Sequence, residues 1–85
     1  MNINLRFFAS VREAVGVSEE SLDLPDGVNT VGAVRELLAA RGGAWAEALA
    51  PERTLRTAYN QVMCAADTEI DDSCEVAFFP PVTGG

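Results

Sequence analysis

The chain has 85 residues, enough for one domain built around a single core. A chain this short buries only about 60–65% of the surface its unfolded form exposes, which leaves little room for an internal catalytic cavity. The composition, 48% hydrophobic and 22% charged, is globular, and the formal net charge is −7.

The basic residues are Arg6, Arg12, Arg35, Arg41, Arg53 and Arg56, and they are scattered along the chain. A nucleic-acid binder needs a clustered basic face to displace counterions from phosphates, so no nucleic-acid partner is expected. The acidic balance suits docking on basic proteins; the plainer reading is that it keeps a small domain soluble. Lysine is absent, so no side-chain amine could accept an isopeptide bond from another copy, but use of Arg for Lys in a GC-rich genome is the stronger account. Cys64 and Cys74 stand without histidine and without a C-x-x-C pair, too thin a set for a zinc or iron–sulfur site, so no metal is expected. The N-terminus lacks a basic region followed by a long apolar one, and no stretch reaches membrane-spanning length. These features predict a cytoplasmic protein with two free thiols and no membrane partner.

Residues 2–8 alternate, with Ile3, Leu5 and Phe7 on one face and Asn2, Asn4, Arg6 and Phe8 on the other, as in a half-buried strand. Phe8 is the aromatic exception on the polar face. Ser10 and Glu13 have capping-box spacing and predict a short helix from there to about Val15, ended by Gly16 in a left-handed conformation. Ser21 to Leu24 alternates as a second strand, closed by the turn residues Pro25-Asp26-Gly27. Thr30 suits the cap of a longer helix whose stripe is Val31, Val34, Leu37 and Leu38, stopped at Gly42-Gly43. Trp45, Ala46 and Leu49 suggest another turn or two of helix before Pro51. Ala58 to Cys64 reads as one strand whose facing stays open: either Ala58 and Val62 point inward, or Tyr59 and Met63 do. Glu75 to Phe79 is the last strand, with Val76 and Phe78 on one face and Phe79 beside Glu75 and Ala77 on the other. Pro80-Pro81 ends it, because proline has no N–H to give. The expected architecture is α+β, a small mixed sheet packed against one long helix, over residues 1–79, with an extended tail over 80–85.

No side-chain constellation suits catalysis. Without histidine there is no Ser-His-Asp or Cys-His arrangement. Glu19-Glu20 and Asp71-Asp72 are adjacent in sequence and read as solvated charge. The tail Pro80-Pro81-Val82-Thr83-Gly84-Gly85 remains. The prolines favour a stiff extended path leading away from the domain. Gly84 and Gly85 carry no Cβ, so they fit a narrow channel and leave the terminal carboxyl open to reaction. A carboxylate is a poor electrophile, so such chemistry needs prior activation, for example as an acyl adenylate. The plainer reading is a frayed end that finishes in glycine. If the first and last strands are neighbours, Phe8 and Phe79 form an apolar patch at the root of the tail, which Met63 could join; such patches mark partner sites.

Leu5-Arg6-Phe7-Phe8-Ala9 with Arg12-Glu13 and Gly16, then Tyr59-Asn60-Gln61, then Glu75 to Gly85 reading Glu-Val-Ala-Phe-Phe-Pro-Pro-Val-Thr-Gly-Gly, resemble the MoaD family of molybdopterin synthase small subunits over the whole chain. The resemblance implies the ubiquitin-like β-grasp fold and a sulfur carrier that donates from its own terminus and contributes no catalytic side chain. A MoeB-type adenylyltransferase, using ATP and Mg, would adenylate Gly85, and a persulfide donor would convert it to a thiocarboxylate. Gly84 would give the tail access to the active site of a MoaE-type large subunit, within an expected heterotetramer. There the sulfur would pass to cyclic pyranopterin monophosphate to build the molybdopterin dithiolene. Phe8, Met63, Phe79, Pro80, Pro81, Val82 and Thr83 would be the partner-binding residues, and the chain itself would bind no cofactor. Two departures stand out. Ser73-Cys74 replaces the usual Gly-Asp before Glu75, which leaves the turn type open, and Tyr59 replaces a small aliphatic residue. The competing readings are a β-grasp sulfur carrier for thiamine or tRNA thiolation, a ubiquitin-like protein tag, and a passive interaction module with an inert tail.

Overall fold

The alternation of Ile3, Leu5 and Phe7 makes the first strand, β1 (Asn2–Phe7), and all three side chains are buried. The computed structural model describes residues 1–81. The remaining elements, in chain order, are α1 (Ala9–Val15), β2 (Glu19–Asp23), α2 (Val31–Ala39), α3 (Gly43–Ala48), β3 (Arg56–Tyr59), β4 (Val62–Cys64) and β5 (Glu75–Phe79). The sheet has five strands in the order β2-β1-β5-β3-β4. β1 runs parallel to β5, and the other three pairings are antiparallel.

Pleating assigns the two faces. Val76 and Phe78 of β5 lie level with Leu5 and Phe7 of β1, and all four are buried. On that inner face they meet Val31, Val34 and Leu38 of α2, Val11 of α1, Leu49 after α3, and the loop residues Leu24, Ile70 and Cys74. Phe7 anchors this core. Its ring stacks near Phe78, with centroids 6.3 Å apart, and meets Trp45 edge-on at 5.4 Å. Burying each large apolar side chain such as Phe7, Phe78 or Leu38 contributes about 1.5–3 kcal/mol.

Several expectations need correction. The longer helix, α2, has only nine residues, so the sheet is covered by three short helices and not by one long one. The Thr30 cap does form: its hydroxyl accepts from the Ala33 amide at 3.1 Å. The Ser10 capping box does not. α1 starts at Ala9, with Phe8 as a cap that makes no side-chain bond. The cause is the sheet, since the Phe8 amide donates to the Phe78 carbonyl at 3.3 Å, extending the β1–β5 pairing. The backbone then turns at once at Ala9, with φ of 50°. Ser10 is thereby placed inside the first turn. The left-handed Gly16 end is present, with φ of 82° and its amide on the Arg12 carbonyl. β2 begins two residues earlier than the pattern suggests, because Glu19 and Glu20 continue the register opposite Arg6 and Leu5. At that edge Arg41 reaches Glu20 (Nη1–Oε1 3.0 Å) and lies 4.4 Å from the Trp45 ring centre, tying β2 to the α2–α3 connection. The Arg41 guanidinium holds the Glu20 carboxyl below its usual range.

The single strand expected over 58–64 is a hairpin. Asn60 and Gln61 have φ of 47° and 69°, the two left-handed positions of a tight hairpin turn. Asn60 tolerates that conformation. Its amide donates to the Glu75 carbonyl at 2.8 Å, and its side-chain oxygen accepts from the Glu75 amide at 2.8 Å, extending the β3–β5 ladder past its last strand pair. Asn60→Ala loses that acceptor and adds left-handed strain, so it should destabilise the fold by about 1–2 kcal/mol. Urea denaturation checks this; an unchanged midpoint would contradict it.

The other departure is answered at Ser73. It has φ of 65°, the conformation a glycine adopts without a Cβ penalty, so the turn into β5 survives with serine carrying the strain. Tyr59 extends its hydroxyl to Asp71 at 2.9 Å, which raises the phenol's pKa and ties β3 to the same turn. Ser73→Gly should stabilise by about 0.5–1 kcal/mol, relief of left-handed strain outweighing the entropy of glycine. For a domain of this size that raises Tm by roughly 3–6 °C, readable by calorimetry. A lower Tm would contradict the account.

Candidate functional site

The helices cover one face of the sheet, and the candidate site lies on the other. β1 delivers Phe8 to this outer face, and β5 delivers Phe79 alongside it. Their rings meet edge-to-face, with centroids 6.2 Å apart at 89°. The hairpin turn sets the third member. It pairs Met63 with Ala58, and Ala58 is level with Ala77 of β5. Alternation within one strand would have put Ala58 and Met63 on opposite faces; the turn at Asn60-Gln61 puts them on the same one. Phe8 is 42% exposed and Met63 54% exposed, values that are high for large apolar side chains and mark a surface awaiting cover.

These residues border an open groove of about 480 Å³. Ala58 and Ala77 lie in it, Gln61 and Glu75 stand at its polar end, and Pro80 closes the end where the chain leaves β5. The Arg6 guanidinium lies 5.6 Å from the Phe8 ring centre, with Glu19 and Glu75 loosely paired to it at 3.9 and 3.8 Å. Arg6 and Glu19 thus lie on the β1–β2 side of the groove, Glu75 at its β5 end, and the exposed Arg56 of β3 beside its register partner Phe79.

The structure thus brings together Phe8, Met63, Phe79 and Pro80 from the sequence expectation, with Pro81 following directly. Val82, Thr83, Gly84 and Gly85 lie outside the described residues. Ala58, Ala77, Gln61 and Glu75 were not anticipated as site residues. The only signal for Ala58 and Gln61 was Asn60, whose tolerance of left-handed backbone could have marked the turn.

No other part of the described chain offers competing chemistry. No group of three or more His, Cys, Asp or Glu among the described residues is placed to hold a metal, and no described helix is long and apolar enough to cross a membrane. Cys64 and Cys74 are free thiols. Cys74 is buried, which pushes its thiol pKa up, away from the thiolate a persulfide relay requires. Cys64 is half-buried against the Thr57 hydroxyl, 3.6 Å away.

Comparison with known proteins agrees with this geometry. A model of the ThiS family matches residues 5–85. The molybdopterin synthase sulfur carrier subunit of Escherichia coli (strain K12) is 46% identical over 98% of this chain and 99% of that protein. Its counterpart from Haemophilus influenzae is 43% identical over 98% of this chain and 99% of that one. Among solved structures, a complex of subunits 1 and 2 of molybdopterin-converting factor from Helicobacter pylori contains a chain that superposes with a TM-score of 0.67. That chain is 21% identical, with both chains covered completely, and it supports the fold alone. The fold is the ubiquitin-like β-grasp, and the chain belongs to the ThiS family and is similar over nearly its whole length to molybdopterin synthase sulfur carrier subunits.

Proposed function

We propose that this chain is the sulfur-carrier subunit of a molybdopterin synthase. The observation that carries the reading is the apolar outer face of Phe8, Met63 and Phe79 at the point where Pro80 begins the tail. A domain with no catalytic constellation among its described side chains thereby carries an exposed apolar face beside Pro80, where its tail begins.

The chemistry follows from the terminus. The Gly85 carboxylate attacks the α-phosphate of ATP on a MoeB-type enzyme, with magnesium bound there, to give the acyl adenylate and pyrophosphate. The terminal sulfur of a persulfide donor then displaces AMP to give an acyl disulfide, and a second thiol attacks the donor's sulfur in that S–S bond, leaving the thiocarboxylate on Gly85 and a disulfide between that thiol and the donor. Its sulfur is softer and more nucleophilic than carboxylate oxygen. Gly84 and Gly85, lacking side chains, let that sulfur enter a buried site on a MoaE-type large subunit. There it passes to cyclic pyranopterin monophosphate, and two such transfers build the dithiolene. The carrier and large subunit form a heterotetramer, with a carrier at each end of a central dimer. The domain over 1–79 binds, and the tail over 80–85 reacts. A carrier for thiamine or tRNA thiolation is the second reading; the Phe-Phe-Pro-Pro-Val-Thr-Gly-Gly ending favours the molybdopterin branch.

Intact mass spectrometry after incubation with ATP, magnesium, a MoeB-type enzyme and a sulfur donor should show a gain equal to replacing one oxygen by sulfur. Deleting Gly85 should abolish it. No gain, from an enzyme that thiolates the E. coli carrier in the same mixture, would contradict the reading.

A further inference from the structure

Ala9 turns the chain from β1 into α1 in a left-handed conformation, with φ of 50°. The Cβ of an L-residue makes that conformation costly, and glycine escapes the cost. Asn60, also left-handed, offsets its strain with the bond from the Glu75 amide. Alanine has no polar group with which to do so. The turn is imposed from both sides. The Phe8 amide is held by the Phe78 carbonyl at 3.3 Å, and the Phe8 carbonyl accepts from the Val11 and Arg12 amides at 3.2 and 3.3 Å. Ala9 alone takes the change of direction between strand and helix. Strain kept where glycine would relieve it points to a use for the stiffer residue.

That use lies at the base of the tail. Pro80 has no N–H to give to a ladder, so packing sets its position. It is half-buried. Phe8 and Ala9 border the outer-face groove with it, while Ser10 and Val11 border with it a second depression of about 320 Å³ on the helix side. Four consecutive residues, 8–11, therefore flank the tail base on two sides. Resting on the carrier reading above, we propose that Ala9 is a positioning residue, whose restricted turn keeps this flank in place and so aims the tail that leaves Pro80. Glycine at position 9 would relax the strain but open a wide range of φ, and residues 8–11 would move about the turn. The tail would then leave the domain over a wider range of directions. A carrier that threads its terminus into an activating enzyme would lose pre-organisation for entry, while the chemistry after entry would be unchanged. Alanine thus exchanges stability for direction.

The test is Ala9→Gly in the full chain. Its melting temperature should equal or exceed the parent's, because glycine suits the turn. In the free chain, NMR order parameters of the Ser10 and Val11 amides should fall. Adenylation by a MoeB-type enzyme with ATP and magnesium, read as pyrophosphate release, should show KM for the carrier raised at least about threefold with kcat unchanged. Ala9→Asn keeps a Cβ and tolerates the left-handed conformation, so it should return both the order parameters and KM to parent values. Parent-like order parameters or a parent-like KM in the glycine variant would overturn the positioning role and leave the carrier reading intact. A lower kcat at unchanged KM, or a melting temperature below the parent's, would overturn it in the same way. Failure of the unsubstituted chain to react, with an enzyme that adenylates the E. coli carrier in the same mixture, would overturn both.

Discussion

β1 and β5 lie side by side and run in the same direction, and the rest of the molecule depends on that pairing. It places Phe7 level with Phe78 beneath the helices. It also brings Phe8 to Phe79 on the opposite face, through the bond from the Phe8 amide to the Phe78 carbonyl. One register therefore builds the core and the apolar outer face together. A slip by one residue would exchange the two faces and destroy both. It also brings the last strand to the middle of the sheet, so the tail starts from a strand paired on both edges. The base of the tail is thereby fixed.

Division of labour follows. The domain's irregular backbone sits at its turns, and two of these, at Asn60-Gln61 and Ser73, hold β5 in place with left-handed residues other than glycine. Asn60 offsets its strain by completing the ladder to Glu75. Glycine takes four other left-handed positions, at Gly16, Gly27, Gly42 and Gly43.

Much of this was legible in the sequence because period-two alternation is a strong signal. Ile3, Leu5 and Phe7, then Val76 and Phe78, declared their faces unaided, and the misfit of Phe8 and Phe79 pointed to an apolar patch. Thr30 and Gly16 announced the helix ends they form. What stayed hidden depended on partners distant in sequence. Ser10 and Glu13 had the spacing of a cap, but strand pairing at Phe8 decided where the helix begins. The hairpin at Asn60-Gln61 lacks the glycine that usually marks such a turn, so two short strands read as one, and the facing of Met63 could not be settled. The groove floor at Ala58 and Ala77 emerges only from the register between β3 and β5.

The central claim is that this domain delivers sulfur through Gly85 to molybdopterin formation. The most direct measurement is complementation of an E. coli strain lacking its own molybdopterin synthase carrier, read as molybdoenzyme activity and cofactor content. The account predicts restoration by the full chain and none by a chain lacking Gly84-Gly85. Expression without restoration, together with rescue of a strain lacking the thiamine sulfur carrier, would contradict it and move the chain to the other branch.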